Sequence, residues 1–393
     1  MDTNTLLILV SALVLIAILI YNPSKTYGVP AALIFILFGF VAGNGQLMPA
    51  YNYPHATEFI SQFAISIIIF TGGFHTPFSR IKPVLKEGLM LANAGVLITT
   101  IILGVFVQWL TPLSLMEGLL LGAVVSSTDA AATFSILESK KLKLKYETDK
   151  SLEFESATND PMALILVLLF SNILLEGKGF NLLDNILFFL KQLLIGGGFA
   201  LVIGVISRIG FKHLKFQEES LKPISILALL LFTSLTAAKL GGNLLVASYV
   251  LGVLLGNSEF QFKETSKKVF ESFTWLAQAL MFVLLGLQIF PSEVLEVLSI
   301  AWLPACFLFL VARPIAVLIS FLPFKQPIKK QLFISWIGIK GATPIVFALI
   351  PLIMGVPNSN IIFNIAVIMV LASMIIHGFS LGITAKKLNL IDK

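Results

Sequence analysis

Apolar segments long enough to cross a lipid bilayer recur along almost the whole of this chain, and they constrain its fold more than any other feature. A transmembrane helix needs about 20 mostly apolar residues. Inside lipid, backbone N–H and C=O groups find partners only within the protein, so such segments fold as helices. The sequence therefore predicts an all-α membrane protein with about thirteen transmembrane helices, at residues 5–21, 28–46, 57–74, 84–110, 114–138, 152–175, 182–207, 221–239, 243–257, 267–290, 299–322, 330–353 and 360–385.

The charged residues agree with this fold and indicate its orientation. They make up only 12% of the chain, whereas a soluble domain carries roughly 25%. With thirteen segments and a cytoplasmic C-terminus, 22 of the 27 Lys and Arg residues fall in cytoplasmic loops, as the positive-inside rule requires. The net charge of +6 therefore needs no nucleic-acid partner. We expect a multi-pass protein of the plasma (inner) membrane whose N-terminus lies outside.

Two of the segments are interrupted near their middles by polar residues, glycine or proline. The fifth is interrupted at residues 126–129, Ser-Ser-Thr-Asp, and the twelfth at residues 338–344, Gly-Ile-Lys-Gly-Ala-Thr-Pro. Each is the second of a triplet of segments, 4–6 and 11–13. Paired interruptions in corresponding positions are typical of transporters with inverted repeats and a binding site near the bilayer midplane. We therefore predict two discontinuous helices, the fifth and the twelfth.

Five ionisable residues are expected near the bilayer centre, where a charge costs from about 3 to more than 10 kcal/mol. Three are acidic, Asp129, Glu155 and Asp160, and two are basic, Arg313 and Lys340. Their formal charges leave one negative charge uncompensated. A surplus carboxylate suits the binding of a cation or a proton.

The sixth segment carries the most specific pattern. Its residues Glu155, Ser156, Asn159 and Asp160 are spaced so that they share one stripe of a helix. Pro161 follows directly, and because it has no N–H, the carbonyl four residues before it loses its helical partner. A freed carbonyl beside a hydroxyl and a carboxylate suits a hard monovalent cation. The alternative is a buried polar cluster that only holds helices together.

Each of the other buried charges has two candidate roles. Arg313 should find a buried carboxylate, because an unpaired buried charge is costly, and we choose Glu155, which leaves Asp160 free to titrate. The alternative for Arg313 is a side chain that extends to the membrane surface. Lys340 either offsets the negative C-terminal ends of half-helices or titrates. Asp129 either neutralises the positive N-terminal ends of half-helices or binds the ion directly. We favour the structural role for both.

Four sequence runs together resemble the signatures of NhaP-type monovalent cation/proton antiporters of the sodium/hydrogen exchanger superfamily. The first two are Ser-Thr-Asp-Ala-Ala-Ala-Thr-Phe at 127–134 and Glu-Ser-Ala-Thr-Asn-Asp-Pro-Met-Ala at 155–163. The others are Ala-Arg-Pro-Ile-Ala-Val at 312–317 and Ser-Trp-Ile-Gly-Ile-Lys-Gly-Ala-Thr-Pro-Ile-Val at 335–346. The resemblance covers nearly the whole chain and is closest to the potassium/proton branch.

The resemblance implies a homodimer in which a six-helix core moves against a dimerisation panel. In this chain the core corresponds to residues 84–175 and 299–386, and the panel to residues 1–75 and 182–290, all within one membrane transporter domain. The interrupted fifth and twelfth segments are then crossed within the core. Members of the potassium branch often carry a cytosolic regulatory domain after the membrane part, which we do not expect in this chain.

The resemblance also implies roles for the candidate residues. Asp160 is the carboxylate that binds the cation or the proton. The Ser156 hydroxyl and the Thr128 carbonyl join it as cation ligands, and Asn159 supports the site. Charge-compensating or structural roles within the core fall to Asp129 at the crossed helices, to Glu155 paired with Arg313, and to Lys340.

One position departs from the family pattern. Lys340 stands where the family usually has arginine. The positive charge is retained, but the guanidinium fork that makes bidentate contacts is not.

These inferences predict secondary active antiport of K⁺ and/or Na⁺ against H⁺ by alternating access, without enzymatic activity or a cofactor. Because Asn159 replaces a possible second carboxylate beside Asp160, one charge exchanges for one and transport is electroneutral. The alternatives are a passive cation channel and an intramembrane aspartyl protease that uses Asp129 and Asp160. The choice between Na⁺ and K⁺ stays open, since it depends on cavity size, ligand number and flexibility.

Overall fold

The computed structural model describes residues 31–43, 51, 53–129, 144–177, 181–213 and 218–392, together with isolated positions between 8 and 19. Apart from those positions, the predicted first segment lies outside the described residues. The predicted second half of the fifth segment, at 130–138, and Lys178 also lie outside them.

Almost all of the described residues are helical, as the apolar segments predict. The helices are α1 (Ala31–Ala42), α2 (Pro54–His75), α3 (Leu85–Leu110), α4 (Leu115–Ser126), α5 (Thr148–Glu176), α6 (Leu182–His213), α7 (Leu221–Lys239), α8 (Leu244–Gly256), α9 (Lys263–Leu287), α10 (Pro291–Phe321), α11 (Ile328–Trp336), α12 (Ala342–Met354) and α13 (Ser359–Lys387). A π-helical turn lies within α3, at Leu91–Gly95, and another within α10, at Leu308–Ala312.

Length and hydropathy show that this is a membrane protein. Within the described part of the chain, 8 helices are long and apolar enough to cross a membrane, and α1, α4, α8 and α12 are shorter apolar helices. The described residues form no β-strand, although an isolated antiparallel bridge joins Leu144 and Ile391. The predicted all-α membrane architecture is therefore confirmed.

Helices end where the sequence predicts the two interruptions, and the residues at these two places contact each other. α4 ends at Ser126, and the chain leaves it in an extended conformation. Residues 337–341 separate α11 from α12 without forming helix. The backbone N–H of Asp129 donates to the C=O of Ile339 at 2.8 Å. The stretch that follows α4 and the break between α11 and α12 are thus joined by a backbone hydrogen bond.

The chain divides into two compact units. Unit 1 comprises Met1–Ile60, Val84–Lys178 and Ala279–Lys393, and it contains both interruptions. Unit 2 comprises Ser61–Pro83 and Gly179–Gln278. The division into a moving core and a dimerisation panel, with the boundaries given above, stays a prediction.

Unit 2 is held together by aromatic packing and close helix contacts. The Phe270 ring of α9 lies 4.9 Å from the Phe70 ring of α2, and the Phe74 ring lies 5.4 Å from the same Phe70 ring. α8 approaches α2 so closely that a Cβ at Gly252 would overlap the backbone of Phe70. Small residues at such contacts let helix backbones pack together in a membrane.

Unit 1 contains a buried ion pair that the sequence did not predict. Lys330 of α11 and Glu87 of α3 are almost completely buried, and Lys330 Nζ lies 2.5 Å from Glu87 Oε1. The Ser151 hydroxyl of α5 donates to the same oxygen at 2.6 Å, and the Gln326 amide donates to Oε2 at 2.6 Å. Lys330 also donates to the backbone carbonyl of Tyr146 at 2.9 Å. The pair therefore ties α3, α5 and α11 together through satisfied charges.

We predict that Lys330→Met lowers the melting temperature of the purified protein in detergent. The substitution leaves the Glu87 carboxylate buried without its counter-charge, which typically costs about 3–5 kcal/mol. The double variant Glu87→Gln/Lys330→Met should recover most of the loss, because no unpaired charge remains. The control is Lys267→Met, since Lys267 pairs at 3.0 Å with Glu264, whose side chain is 78% exposed. Such a surface pair contributes less than about 1 kcal/mol.

Intrinsic tryptophan fluorescence during heating measures all of these variants. A Lys330→Met protein that melts no lower than Lys267→Met would contradict the structural role assigned to the buried pair.

Candidate functional site

α5 brings four polar side chains to the middle of unit 1. Glu155, Ser156, Asn159 and Asp160 lie on one stripe of the helix and are all buried. Their spacing predicts the stripe in any continuous helix, since positions four residues apart, 155 with 159 and 156 with 160, lie on the same face. α5 runs without interruption through Pro161, so the stripe is presented on one continuous helix.

Asp160 accepts hydrogen bonds from both interrupted regions. The Ser127 hydroxyl, immediately after α4, donates to Asp160 Oδ1. The Thr343 hydroxyl, in the first turn of α12, donates to Asp160 Oδ2 at 3.4 Å. Neither residue was predicted as part of the site. The available signal was their position, since both lie within the sequence runs that mark the interruptions.

The other predicted ligands hydrogen-bond to one another beside Asp160. The Asn159 amide donates to Thr128 Oγ1 at 2.6 Å, and Thr128 Oγ1 lies 2.9 Å from Ser156 Oγ. The structure therefore brings all four predicted ion-site residues to one place. Within that place, Thr128, Ser156 and Asn159 form a hydroxyl and amide cluster, and Asp160 has hydroxyl partners of its own.

Glu155 faces Arg313 of α10. Arg313 Nη2 lies 2.5 Å from Glu155 Oε1, and the two side chains are 3% and 0% exposed. Arg313 directly follows the π-helical turn Leu308–Ala312, a local widening of the helix that is frequent at functional positions. A buried carboxylate and guanidinium at this distance neutralise each other, so the pair adds no net charge to the site.

Lys340 lies in the interruption before α12 and is 1% exposed. Its Nζ donates to the carbonyls of Ser126 at 3.0 Å and Ser127 at 2.9 Å. These carbonyls stand at the C-terminal end of α4, where helix carbonyls lack intrahelical partners and the helix dipole is negative. The ammonium group thus satisfies the backbone that the interruption exposes.

Asp129 lies at the start of α12. Its carboxylate is so close to the backbone of Gly341 that a Cβ at that position would overlap it. Gly341 is the N-cap of α12, so the carboxylate stands at the positive end of that helix. Each interruption therefore provides a charge that offsets the helix dipole of the other. Asp129 lies at the N-terminus of α12, and Lys340 lies at the C-terminus of α4.

α13 supports the second interruption. The Lys340 backbone N–H donates to Ser373 Oγ at 2.9 Å, and Ser373 Oγ lies 2.9 Å from His377 Nδ1. Because the serine oxygen accepts from the amide, its proton is available to donate to the imidazole. The His377 ring packs edge-on against Phe309 at 4.7 Å and Trp336 at 5.3 Å. Ser373 thus fixes the backbone that positions Lys340.

The chemistry available at this site is that of one carboxylate among neutral oxygens. Among the residues that the structure describes, no three His, Cys, Asp or Glu side chains converge as a divalent or transition-metal site would require. Asp160 provides one negative charge, and Ser127 and Thr343 add hydroxyl oxygens to it. Such a donor set suits a proton or a hard monovalent cation.

Sequence comparison finds relatives along nearly the whole chain. The model of the family described as "Sodium/hydrogen exchanger, transmembrane" matches residues 10–387. The chain is 35% identical over 390 residues to the K(+)/H(+) antiporter NhaP of Alkalimonas amylolytica, covering 98% of this chain and 67% of that protein. It is 30% identical over 348 residues to the Probable Na(+)/H(+) antiporter 2 of Methanocaldococcus jannaschii, covering 83% of this chain and 79% of that protein.

Structure comparison gives the same fold. The sodium proton antiporter MjNhaP1 of Methanocaldococcus jannaschii, in its structure at pH 8, superposes with a TM-score of 0.87, covers 99% of both chains and is 20% identical. At 20% sequence identity, this likeness shows a shared fold and nothing more. Together with the family match over residues 10–387, the relatives show that this chain belongs to the transmembrane sodium/hydrogen exchanger family, whose members are membrane antiporters rather than enzymes.

Proposed function

We propose that this protein exchanges a monovalent cation for a proton across the membrane, with Asp160 as the shared binding site. The observation that carries the proposal is the arrangement of buried charge. Glu155 is neutralised by Arg313, and Lys340 is engaged with backbone carbonyls, whereas Asp160 accepts hydrogen bonds from uncharged hydroxyls. Asp160 is therefore the carboxylate best placed to gain and lose a proton or a cation.

Mutually exclusive binding provides the coupling. A proton and a cation each neutralise the Asp160 carboxylate, so one excludes the other. An empty, charged site is costly to move through lipid, and we propose that the core moves only when either ligand is bound. The Ser156 hydroxyl and the Thr128 carbonyl serve as further cation ligands in this scheme, with Asn159 in support. Alternating exposure of the loaded site to the two sides of the membrane then exchanges one ion for the other.

Electroneutral exchange follows from the same arrangement. Asn159 is uncharged, and Glu155 is paired with Arg313 at 2.5 Å, so a single carboxylate carries the exchange. The carrier has the same net charge with one bound proton as with one bound monovalent cation. One proton is therefore exchanged for one cation.

The cation is K⁺, Na⁺ or both. Relatives 35% identical are named K(+)/H(+) antiporters, and the relative at 30% is named a Probable Na(+)/H(+) antiporter. We place the protein in the plasma membrane as a homodimer with a cytoplasmic C-terminus, with residues 84–175 and 299–386 as the moving core and a role in pH homeostasis. Basic residues concentrated in the cytoplasmic loops support this orientation.

Asp160→Asn should abolish exchange in reconstituted vesicles with an imposed pH gradient. Asparagine keeps the shape of the side chain but neither binds a proton at neutral pH nor provides a charge for a cation. The measurement is dissipation of the pH gradient, read with a fluorescent probe, after addition of K⁺ or Na⁺. Asp184→Asn is the matched control, because it makes the same chemical change at an exposed position in α6.

Residual cation-driven proton movement in Asp160→Asn, above that of protein-free vesicles, would rule out Asp160 as the shared site. Cation current without proton movement in the wild-type protein would identify a channel.

Exchange by the wild-type protein should generate no membrane potential. One positive charge leaves for each that enters, so a potential-sensitive oxonol dye should stay constant while the pH probe responds. Dissipation of the potential should also leave the exchange rate unchanged. A potential that builds up on addition of Na⁺ would show that more than one proton moves per cation, and would contradict the assignment of Glu155 as neutralised by Arg313.

A further inference from the structure

We propose that the Ser127 and Thr343 hydroxyls are part of the ion site and set its preference among alkali cations. The proposal rests on the proposed function, since it takes Asp160 as the site of exchange. It adds a ligand from the twelfth segment to a site that sequence reasoning built only from the fifth and sixth.

The geometry places one hydroxyl on each oxygen of the carboxylate. Ser127 is completely buried and donates to Oδ1, and Thr343 is 8% exposed and donates to Oδ2 at 3.4 Å. Ser127 follows α4, and Thr343 is the second residue of α12. Each interrupted helix therefore contributes one oxygen to the same carboxylate.

Several other oxygens nearby already accept hydrogen bonds from nitrogen donors. The carbonyls of Ser126 and Ser127 accept hydrogen bonds from Lys340 at 3.0 Å and 2.9 Å. The Thr128 hydroxyl accepts from Asn159 at 2.6 Å. The Ser127 and Thr343 side chains, by contrast, direct their hydroxyls at the carboxylate itself. A cation that binds to either carboxylate oxygen therefore has one of these hydroxyls as a neighbour.

A hydroxyl suits every state of an exchanging carboxylate. It is one donor with two acceptor lone pairs, and its hydrogen rotates to suit its surroundings. When Asp160 is charged, both hydroxyls donate to it through the contacts described above. With Asp160 protonated, one hydroxyl accepts the carboxyl proton. With a cation on the carboxylate, rotation of the same hydroxyls turns their lone pairs toward the ion.

The number of oxygens around the ion affects which ion is preferred. Selectivity between cations depends on cavity size, ligand number and flexibility. A large cation such as K⁺ is stabilised by more oxygen ligands than Li⁺, which is satisfied by few. Loss of one hydroxyl should therefore weaken binding of K⁺ more than binding of Li⁺.

The test compares Thr343→Val, which has the same shape without the hydroxyl, with Thr343→Ser, which keeps the hydroxyl. The cation concentration for half-maximal exchange is measured for Li⁺, Na⁺ and K⁺ in vesicles at fixed pH. We expect Thr343→Val to raise this concentration for K⁺ by about tenfold, as loss of a hydrogen bond to a charged group does, and to raise it less for Li⁺. Thr343→Ser should stay within about twofold of the wild-type value.

Thr99→Val is the control for removal of a buried threonine hydroxyl. Thr99 is 1% exposed in α3 and donates to the carbonyl of Gly95 in its own helix at 2.7 Å. It should leave the ion preference unchanged. Ser127→Ala provides an independent arm if Thr343→Val does not fold, and should also shift the half-maximal concentration.

The outcomes separate this proposal from the proposed function. If Asp160→Asn is inactive while Thr343→Val and Ser127→Ala keep wild-type half-maximal concentrations for all three ions, the hydroxyl proposal is wrong and the shared site stands. A lower maximal rate with unchanged half-maximal concentrations would likewise show a structural role only. Exchange in Asp160→Asn would instead overturn the proposed function itself.

Discussion

Backbone hydrogen bonding within the membrane is the constraint on which this structure depends. Inside unit 1, α4 ends at Ser126 and residues 337–341 separate α11 from α12. Such helix ends expose carbonyls and amides that lipid cannot satisfy. Lys340 donates to the carbonyls of Ser126 and Ser127, and its own amide donates to Ser373. The polar residues around these helix ends therefore have a structural role first, because they satisfy backbone groups. That requirement places a charged side chain and several hydroxyls at the point where α5 presents Asp160.

The buried charges differ in what faces them, and the difference separates structure from exchange. Glu155 with Arg313, and Glu87 with Lys330, are ion pairs at 2.5 Å whose members neutralise each other. Such pairs hold helices in position but have no net charge with which to bind a cation or a proton. Asp160 is approached by hydroxyls, which are neutral and which both donate and accept. A carboxylate in such surroundings gains most from a ligand that brings a positive charge.

The helices could be predicted from the sequence because lipid demands both length and hydrophobicity. α7, for instance, occupies the residues that hydropathy predicts, Leu221–Lys239. The stripe on α5 follows from helical periodicity, and the interruptions follow from polar, glycine and proline residues within apolar runs. Charge balance predicts the pairing of Arg313 with Glu155, which the structure contains, but the other partners from distant segments could not be predicted. Lys330 is the first residue of the predicted segment 330–353, and its partner Glu87 is 243 residues away, so no local pattern indicates the pair. Ser127 and Thr343 meet Asp160 only because the end of α4 and the start of α12 come together beside α5.

Competition between a proton and a cation for Asp160 is the central claim, and proton release on cation binding tests it most directly. Purified protein in weakly buffered detergent solution is titrated with K⁺ and Na⁺ while the pH is recorded. At a pH low enough for the site to be protonated before titration, we predict one proton released per cation bound and no release from Asp160→Asn. In the same pH range the cation dissociation constant should rise about tenfold for each unit of falling pH. Cation binding by the wild-type protein without proton release would contradict the claim.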